Sequence, residues 1–140
     1  MSSYNGPALT AHPLPRDKGG GIYFEQSSTN LSHLTINANS AKDGSGVYLY
    51  ESDIFMKRTV ISGNISNIGN GDGGGIYSMQ SNPVFHNVTI TGNMADGDGP
   101  GIYTQAYSEE TTMILKNCIL WANGYYQSTE SADSSQIEVF

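Results

Sequence analysis

Gly-Gly-Gly-Ile-Tyr at residues 19–23 is the stretch that decides the fold, because it returns three times along the chain. It reappears as Gly-Ser-Gly-Val-Tyr at 44–48, as Gly-Gly-Gly-Ile-Tyr at 73–77 and as Gly-Pro-Gly-Ile-Tyr at 99–103. The copies begin 25, 29 and 26 residues apart. Self-similarity with a period of this size is typical of solenoids, in which each repeat is one structural unit stacked on the next.

An asparagine follows each glycine motif at a nearly constant distance. Asn39, Asn64 and Asn93 each lie 18 residues after the third residue of their motif, and Asn123 lies 22 residues after it. The distance from motif to asparagine is fixed in three copies, whereas the rest of each repeat varies in length. This predicts one rigid part and one loop per repeat, with an insertion in the fourth copy near residues 106–112. We expect the four asparagines to stack at a turn, where side-chain amides at strand spacing can bond along a ladder.

Aligning the copies on this asparagine produces apolar columns. Positions three and five before it share one face of a strand. A bend after the position eight before it would also turn that side chain inward. The predicted bend lies near His33, Arg58, Asn87 and Asn117, and the main columns are Ile36, Ile61, Ile90 and Leu120; Leu31, Met56, Phe85 and Leu115; and Ile22, Val47, Ile76 and Ile102.

These columns predict an all-β parallel β-helix of about four complete coils. No single repeat has enough apolar surface to fold alone, whereas stacked coils about 4.8 Å apart would join the columns into one core. The coils begin near residues 19, 44, 73 and 99, a partial fifth begins near 134, and residues 1–18 form a lead-in or partial first coil. Propeller blades are longer than this period, and a leucine-rich repeat would need a line of leucines that the chain lacks.

Composition narrows the function classes. Only 14% of residues are charged and the net charge is −7, so we expect no binding to nucleic acid or to an anionic membrane surface. No run of apolar residues is long enough for a transmembrane segment, and no signal peptide is visible in residues 1–18. The single cysteine, Cys118, is expected to be a small buried residue. Open strand edges at both ends predict an excerpt of a larger protein that self-associates.

A column of tyrosines follows the glycines. If the aliphatic neighbours point inward, the rings point outward and form a flat strip for a sugar chain, or they only stack to support the sheet. The column consists of Tyr23, Tyr48, Tyr77 and Tyr103.

Asp43, Asp72 and Asp98 each immediately precede a glycine motif. Stacked carboxylates could bind Ca²⁺ or act on a sugar, although Asp-Gly is also an ordinary turn sequence. No basic residue aligns with this column, and the histidines fall in different columns. We therefore name no catalytic residue and no required cofactor, and retain Ca²⁺ as the only candidate metal.

The stretch Ser-Asn-Pro-Val-Phe-His-Asn-Val-Thr-Ile-Thr-Gly-Asn-Met-Ala at residues 81–95, followed by Gly-x-Gly-Ile-Tyr, resembles the repeats of bacterial right-handed parallel β-helix proteins. The polymorphic outer-membrane-protein family is one such relative, although Phe85-His86-Asn87 departs by one residue from its Phe-x-x-Asn motif. The resemblance covers about residues 19–137. It implies that the parallel β-helix is right-handed and that the parent protein has an extracellular or cell-surface location.

In such families the helix mostly serves as an extended surface for adhesion or display, whereas others of the pectin-lyase-like fold are polysaccharide lyases or hydrolases. We therefore expect a non-catalytic structural or adhesive module whose partners are carbohydrate or a host or cell-surface protein. The alternative is a fragment of a carbohydrate-active enzyme, which would need clustered acid and base residues in a groove.

Overall fold

The computed structural model describes residues 17–107 and 111–126, together with the backbone of residues 137–139. Its described regular structure consists of β-strands, and the strand pairs are parallel. The chain passes through three sheets in turn, so that each strand pairs with its counterpart one repeat away. This is the parallel β-solenoid that the repeat predicts. Among the described residues there is no helix long and apolar enough to cross a membrane.

The tyrosine sheet contains the strands that follow the glycine motifs. Its register places Ile22, Val47, Ile76 and Ile102 in one column, and Ile137 continues that column as predicted. Numbered in chain order, its strands are β1 (Ile22–Glu25), β5 (Val47–Tyr50), β8 (Ile76–Met79), β11 (Ile102–Gln105) and β15 (Ile137–Val139).

The long-strand sheet carries the bend that the sequence predicts. His33, Arg58, Asn87 and Asn117 all have positive φ, between 48° and 57°, which turns the chain and brings side chains on both sides of the bend inward. The strands are β2 (Asn30–Ser32) and β3 (Thr35–Asn37), β6 (Phe55–Ser62), β9 (Val84–Thr91), and β12 (Ile114–Lys116) with β13 (Ile119–Trp121).

The short-strand sheet was not predicted. It consists of two-residue strands that follow the ladder asparagines. Strands this short cannot show any alternation of apolar and polar residues. They are β4 (Ser40–Ala41), β7 (Ile65–Ser66), β10 (Met94–Ala95) and β14 (Gly124–Tyr125).

The described strands form four rungs in each sheet, one for each predicted coil, with β15 as a fifth in the tyrosine sheet, and the chain makes about three turns between the first rung and the fourth. The fourth predicted coil begins at Gly99 and includes residues 108–110 and 127–133, which lie outside the described residues. Most of the predicted lead-in, residues 1–16, and the start of the predicted fifth coil near 134 also lie outside them.

The apolar columns meet in one core between the sheets. Met56, Ile61, Phe85 and Ile90 are fully buried, as the alignment predicts. Cys118 packs against this core as a small apolar residue, but it is half-buried rather than buried. Cys118 lies between β12 and β13, which form the last rung of the long-strand sheet. No further described strand of that sheet covers this rung.

The asparagine ladder is confirmed in detail. The Oδ1 atom of Asn93 accepts hydrogen bonds from the backbone N–H of Asn64 at 3.0 Å and from its Nδ2 at 2.9 Å. The Nδ2 atom of Asn93 in turn donates to Asn123 Oδ1 at 2.9 Å and to the carbonyl of Ile61 at 3.0 Å. Asn39 donates to Asn64 in the same way. The amides of Asn64 and Asn93 therefore each join three successive coils.

The glycine at the third position of the first three motifs is required by close approach rather than by its φ angle. A Cβ atom on Gly75 would lie 2.5 Å from the carbonyl oxygen of Gly101 and 3.1 Å from Asn93 Nδ2. A Cβ on Gly46 would meet the carbonyl of Gly75 and the amide of Asn64 in the same manner. The glycine motif and the asparagine ladder are thus two sides of one contact, which explains why they keep a constant separation.

Asn93→Ala is expected to lower the free energy of unfolding by about 3 kcal/mol or more, because it leaves several buried donors and acceptors of neighbouring coils without partners. Asn37→Ala is the matched control, since Asn37 is exposed and makes no described hydrogen bond. It should change stability by less than about 0.5 kcal/mol. Urea unfolding of both variants tests this, and equal midpoints would mean that the ladder adds no stability.

Candidate binding surfaces

The tyrosine column stacks as predicted but is not an open strip. Ring centroids of successive tyrosines lie 5.3, 4.9 and 4.8 Å apart, and the rings face away from the aliphatic core. Tyr48, Tyr77 and Tyr103 are buried, with 1%, 6% and 8% of their surface exposed, and only Tyr23 is exposed at 38%. The expectation of an exposed platform is therefore wrong for three of the four rings. The ammonium group of Lys18 lies over the Tyr48 ring, 5.2 Å from its centroid.

The tyrosine hydroxyls differ in their partners. The Tyr77 hydroxyl donates to Gln105 Oε1 at 3.1 Å, and the Tyr23 hydroxyl donates to Glu25 Oε2 at 3.1 Å. Burial, together with the Glu25 carboxylate, raises the pKa of Tyr23 to about 12. The Tyr48 hydroxyl is buried and has no hydrogen-bond partner among the residues that the structure describes. These phenols are therefore neutral at physiological pH, and the column acts as a stacked, mostly covered support for the sheet.

The aspartate column is part of the coil-to-coil bonding. Asp43 Oδ1 accepts from the backbone N–H of Asp72 at 3.1 Å, and Asp72 Oδ1 accepts from that of Asp98 at 2.7 Å. Burial raises the pKa of both Asp43 and Asp72, and the neighbouring carboxylates raise that of Asp72 further. Within the described part of the chain, no group of three or more His, Cys, Asp or Glu is arranged to hold a metal ion.

A serine ladder, which the sequence analysis missed, lies at the corner between the tyrosine and long-strand sheets. Ser52 Oγ accepts from the backbone N–H of Ser27 at 3.1 Å, and Ser81 Oγ accepts from that of Ser52 at 2.8 Å. The repeating pairs Gln-Ser, Glu-Ser and Gln-Ser at 26–27, 51–52 and 80–81 are the signal that could have revealed it.

An open groove of about 320 Å³ lies beside this corner. Asp53 Oδ1 on its wall accepts from the backbone N–H of Asn82 at 2.8 Å, which continues the ladder pattern. Phe55 contributes a half-buried ring to the lining. The groove is a shallow depression between coils rather than a pocket holding an acid and a base.

The outer face of the long-strand sheet gathers positive charge that is dispersed in the sequence. Strand register places Lys57 beside His86 and His86 beside Lys116, and we call these three residues the basic column. Arg58 follows at the bend, where its guanidinium nitrogen lies 3.5 Å from the His33 ring. The sequence analysis found no basic patch because these residues lie in different repeats. The alignment of the repeats on the asparagine contains this column, seven residues before each of Asn64, Asn93 and Asn123, but only apolar columns were compared there.

Comparison with protein-family models gives one match. A model described as a right-handed β-helix region matches residues 14–140. Comparisons with curated proteins and with solved structures gave no match. The matched segment contains the glycine motifs, the asparagine ladder and the three sheets.

Tyr48→Phe is expected to leave the free energy of unfolding unchanged or to raise it by about 1 kcal/mol, because it removes a buried hydroxyl that lacks a partner. Tyr77→Phe removes a hydroxyl that bonds to Gln105 and should cost about 1 kcal/mol. Chemical unfolding monitored by tyrosine absorbance compares the two. A loss for Tyr48→Phe as large as that for Tyr77→Phe would contradict this assignment.

Asp72→Asn is expected to stabilise the protein at pH 7 and to lose that advantage by about pH 4. A raised carboxyl pKa means that the folded state binds more protons than the unfolded chain, so Asp72 adds stability as the pH falls towards the unfolded value of about 3.9. Asparagine keeps an oxygen for the Asp98 N–H but carries no charge. Urea unfolding at both pH values measures the difference, with Asp53→Asn as control. An advantage that is constant with pH would contradict the prediction.

Proposed function

The chain belongs to the right-handed β-helix family, and we propose that it is a non-catalytic repeat module of a bacterial cell-surface or secreted protein with a structural and adhesive role. The resemblance to polymorphic outer-membrane-protein repeats supports this origin and location. A rigid solenoid that displays side chains in columns is suited to holding an extended partner along its length.

The observation that carries the proposal is the use of the polar columns. In the asparagine, serine and aspartate columns, side-chain oxygen atoms accept hydrogen bonds from backbone N–H groups of a neighbouring coil. Groups committed in this way stabilise the stack and are poorly placed to transfer protons to a substrate. We therefore assign these columns to stability and look for partners on the outer surfaces.

The alternative of a polysaccharide lyase or hydrolase would place its carboxylates in the aspartate column. Glycoside hydrolysis needs two carboxyl groups that flank the scissile bond, and a lyase needs a base free to take a proton from the sugar ring. Asp43 and Asp72 instead stack along the solenoid axis, with one oxygen of each held by the next coil. This arrangement favours a support over a catalytic pair.

The proposed partners are a carbohydrate chain or a protein of a cell surface, with no required cofactor. The end strands of each sheet also have one unpaired edge among the described strands, which favours self-association through the ends of the solenoid. Sugar binding through the tyrosine column, which the sequence suggested, is limited by the burial of three rings. Only the exposed Tyr23 end of that column is available for stacking.

A depolymerisation assay tests the non-catalytic role. The full chain is incubated with polygalacturonate, alginate and dextran, with and without Ca²⁺, and both new reducing ends and unsaturated sugar products are measured. We expect no product above the buffer control, and identical results for Asp72→Asn. Product formation that disappears in Asp72→Asn would overturn the proposal and favour the enzyme.

A further inference from the structure

We infer that the outer face of the long-strand sheet binds a linear anionic polysaccharide, a sugar chain carrying carboxylate or sulfate groups, along the basic column. This inference deepens the proposed adhesive function and rests on it. It assigns the contact to a different sheet from the tyrosine column.

The basic column points outward, immediately before the bend in the long-strand sheet. Met56, Phe85 and Leu115 occupy the preceding positions of the three strands and turn toward the core, so Lys57, His86 and Lys116 project from the opposite face. Lys116 and the adjacent Arg58 are exposed, and Lys57 and His86 are half-exposed. The side chains repeat at the strand spacing of about 4.8 Å, so the two lysines stand roughly 10 Å apart.

The positive charges on this face have no counter-charge. In the described part of the chain, Lys57, Arg58 and Lys116 form no ion pair, and Arg58 contacts only the His33 ring. They make up three of the six Lys and Arg residues in a chain of net charge −7. The outward positions of the described strands β2, β3, β6, β9, β12 and β13 contain no Asp or Glu.

The described acidic residues lie outside these strands, and Asp53, just before the start of β6, is the one that borders them. Asp43, Asp72 and Asp98 line the corner before the glycine motifs, whereas Glu25 and Glu51 lie at and just beyond the ends of tyrosine-sheet strands. An anionic ligand would therefore be attracted to one face of the molecule and repelled from the others. The inference rests on charge complementarity between an anionic ligand and the unpaired cations of this face, whose strands contain no acidic residue in an otherwise acidic protein.

Neutral polar groups beside the basic column favour a sugar chain over other polyanions. Thr35 and Thr89 present hydroxyl groups in an outward column that also contains the exposed side chains of Val60 and Ile119. Asn37 presents its amide nearby, and none of the three polar side chains has a described hydrogen-bond partner. The exposed Trp121 ring, 62% accessible, stands at the last described coil of this sheet. Hydroxyl and amide donors, an aromatic ring and a few cations suit a polymer with many hydroxyls and widely spaced charges.

A nucleic acid is a poorer fit. Its affinity comes mainly from neutralising closely spaced phosphates with many cations. This face has only three Lys and Arg residues, and the remainder of the protein is acidic. A single-stranded oligonucleotide therefore serves as the competing polyanion in the test.

Titration calorimetry of the full chain with alginate, neutral dextran and a single-stranded oligonucleotide tests the inference at 50 and 200 mM salt. We expect binding to alginate that weakens with salt, no measurable binding to dextran, and weaker binding to the oligonucleotide. Lys57→Gln/Lys116→Gln should weaken alginate binding by about tenfold. The control pair Lys18→Gln/Lys42→Gln removes the same charge from other faces and should change affinity less than twofold. Thermal unfolding confirms that both variants fold.

Equal losses in the two variant pairs would overturn the inference, because they would indicate a response to net charge rather than to this face. Tighter binding of the oligonucleotide, or equal binding of dextran, would also overturn the assignment to an anionic sugar chain. Absence of alginate binding without depolymerisation contradicts this inference alone. Binding accompanied by depolymerisation keeps the face but contradicts the non-catalytic role.

Discussion

Strict coil-on-coil register is the constraint on which the rest of this structure depends. In parallel strands each residue lies beside its counterpart in the next repeat, so one residue type is repeated up the stack. The contact that fixes the register joins the third glycine of each motif to the asparagine ladder. Gly75 lets the backbone of the next coil approach, and Asn93 bonds that coil through its Nδ2 and the preceding coil through its Oδ1. A coil displaced by one residue would lose both contacts and would also turn its aliphatic residues out of the core.

Register also explains what the sequence could predict. The glycine motif and the asparagine identify both sides of this contact, so the repeat, the parallel pairing, the core columns and the bend at Arg58 and Asn87 all follow from alignment. The short-strand sheet does not follow, because two-residue strands such as Ser40–Ala41 contain too few positions for any periodicity.

Exposure was harder to predict than direction. The aliphatic neighbours of Tyr48 place its ring on the outer side of the sheet, and alternation alone is sufficient for that conclusion. Whether an outward ring meets solvent depends on what else reaches that side, and local alternation contains no such information. Tyr48 is 1% exposed although it faces away from the core. For the same reason a column of aspartates resembles a site in the sequence, whereas Asp72 is held by the backbone of the next coil.

Stacking identical ionisable groups is costly, and the two charged columns meet that cost in different ways. In the aspartate column the carboxylates are in successive coils. Burial and their mutual repulsion raise the pKa of Asp72, and the hydrogen bond from the backbone N–H of Asp98 partly offsets that cost. In the basic column His86 separates Lys57 from Lys116, which about doubles the distance between the permanent charges and weakens their repulsion in proportion. The first column uses its oxygens within the fold and has little left for a ligand. The second leaves its ammonium groups without partners, so an anionic chain along this face would supply the counter-charge that the protein itself does not provide.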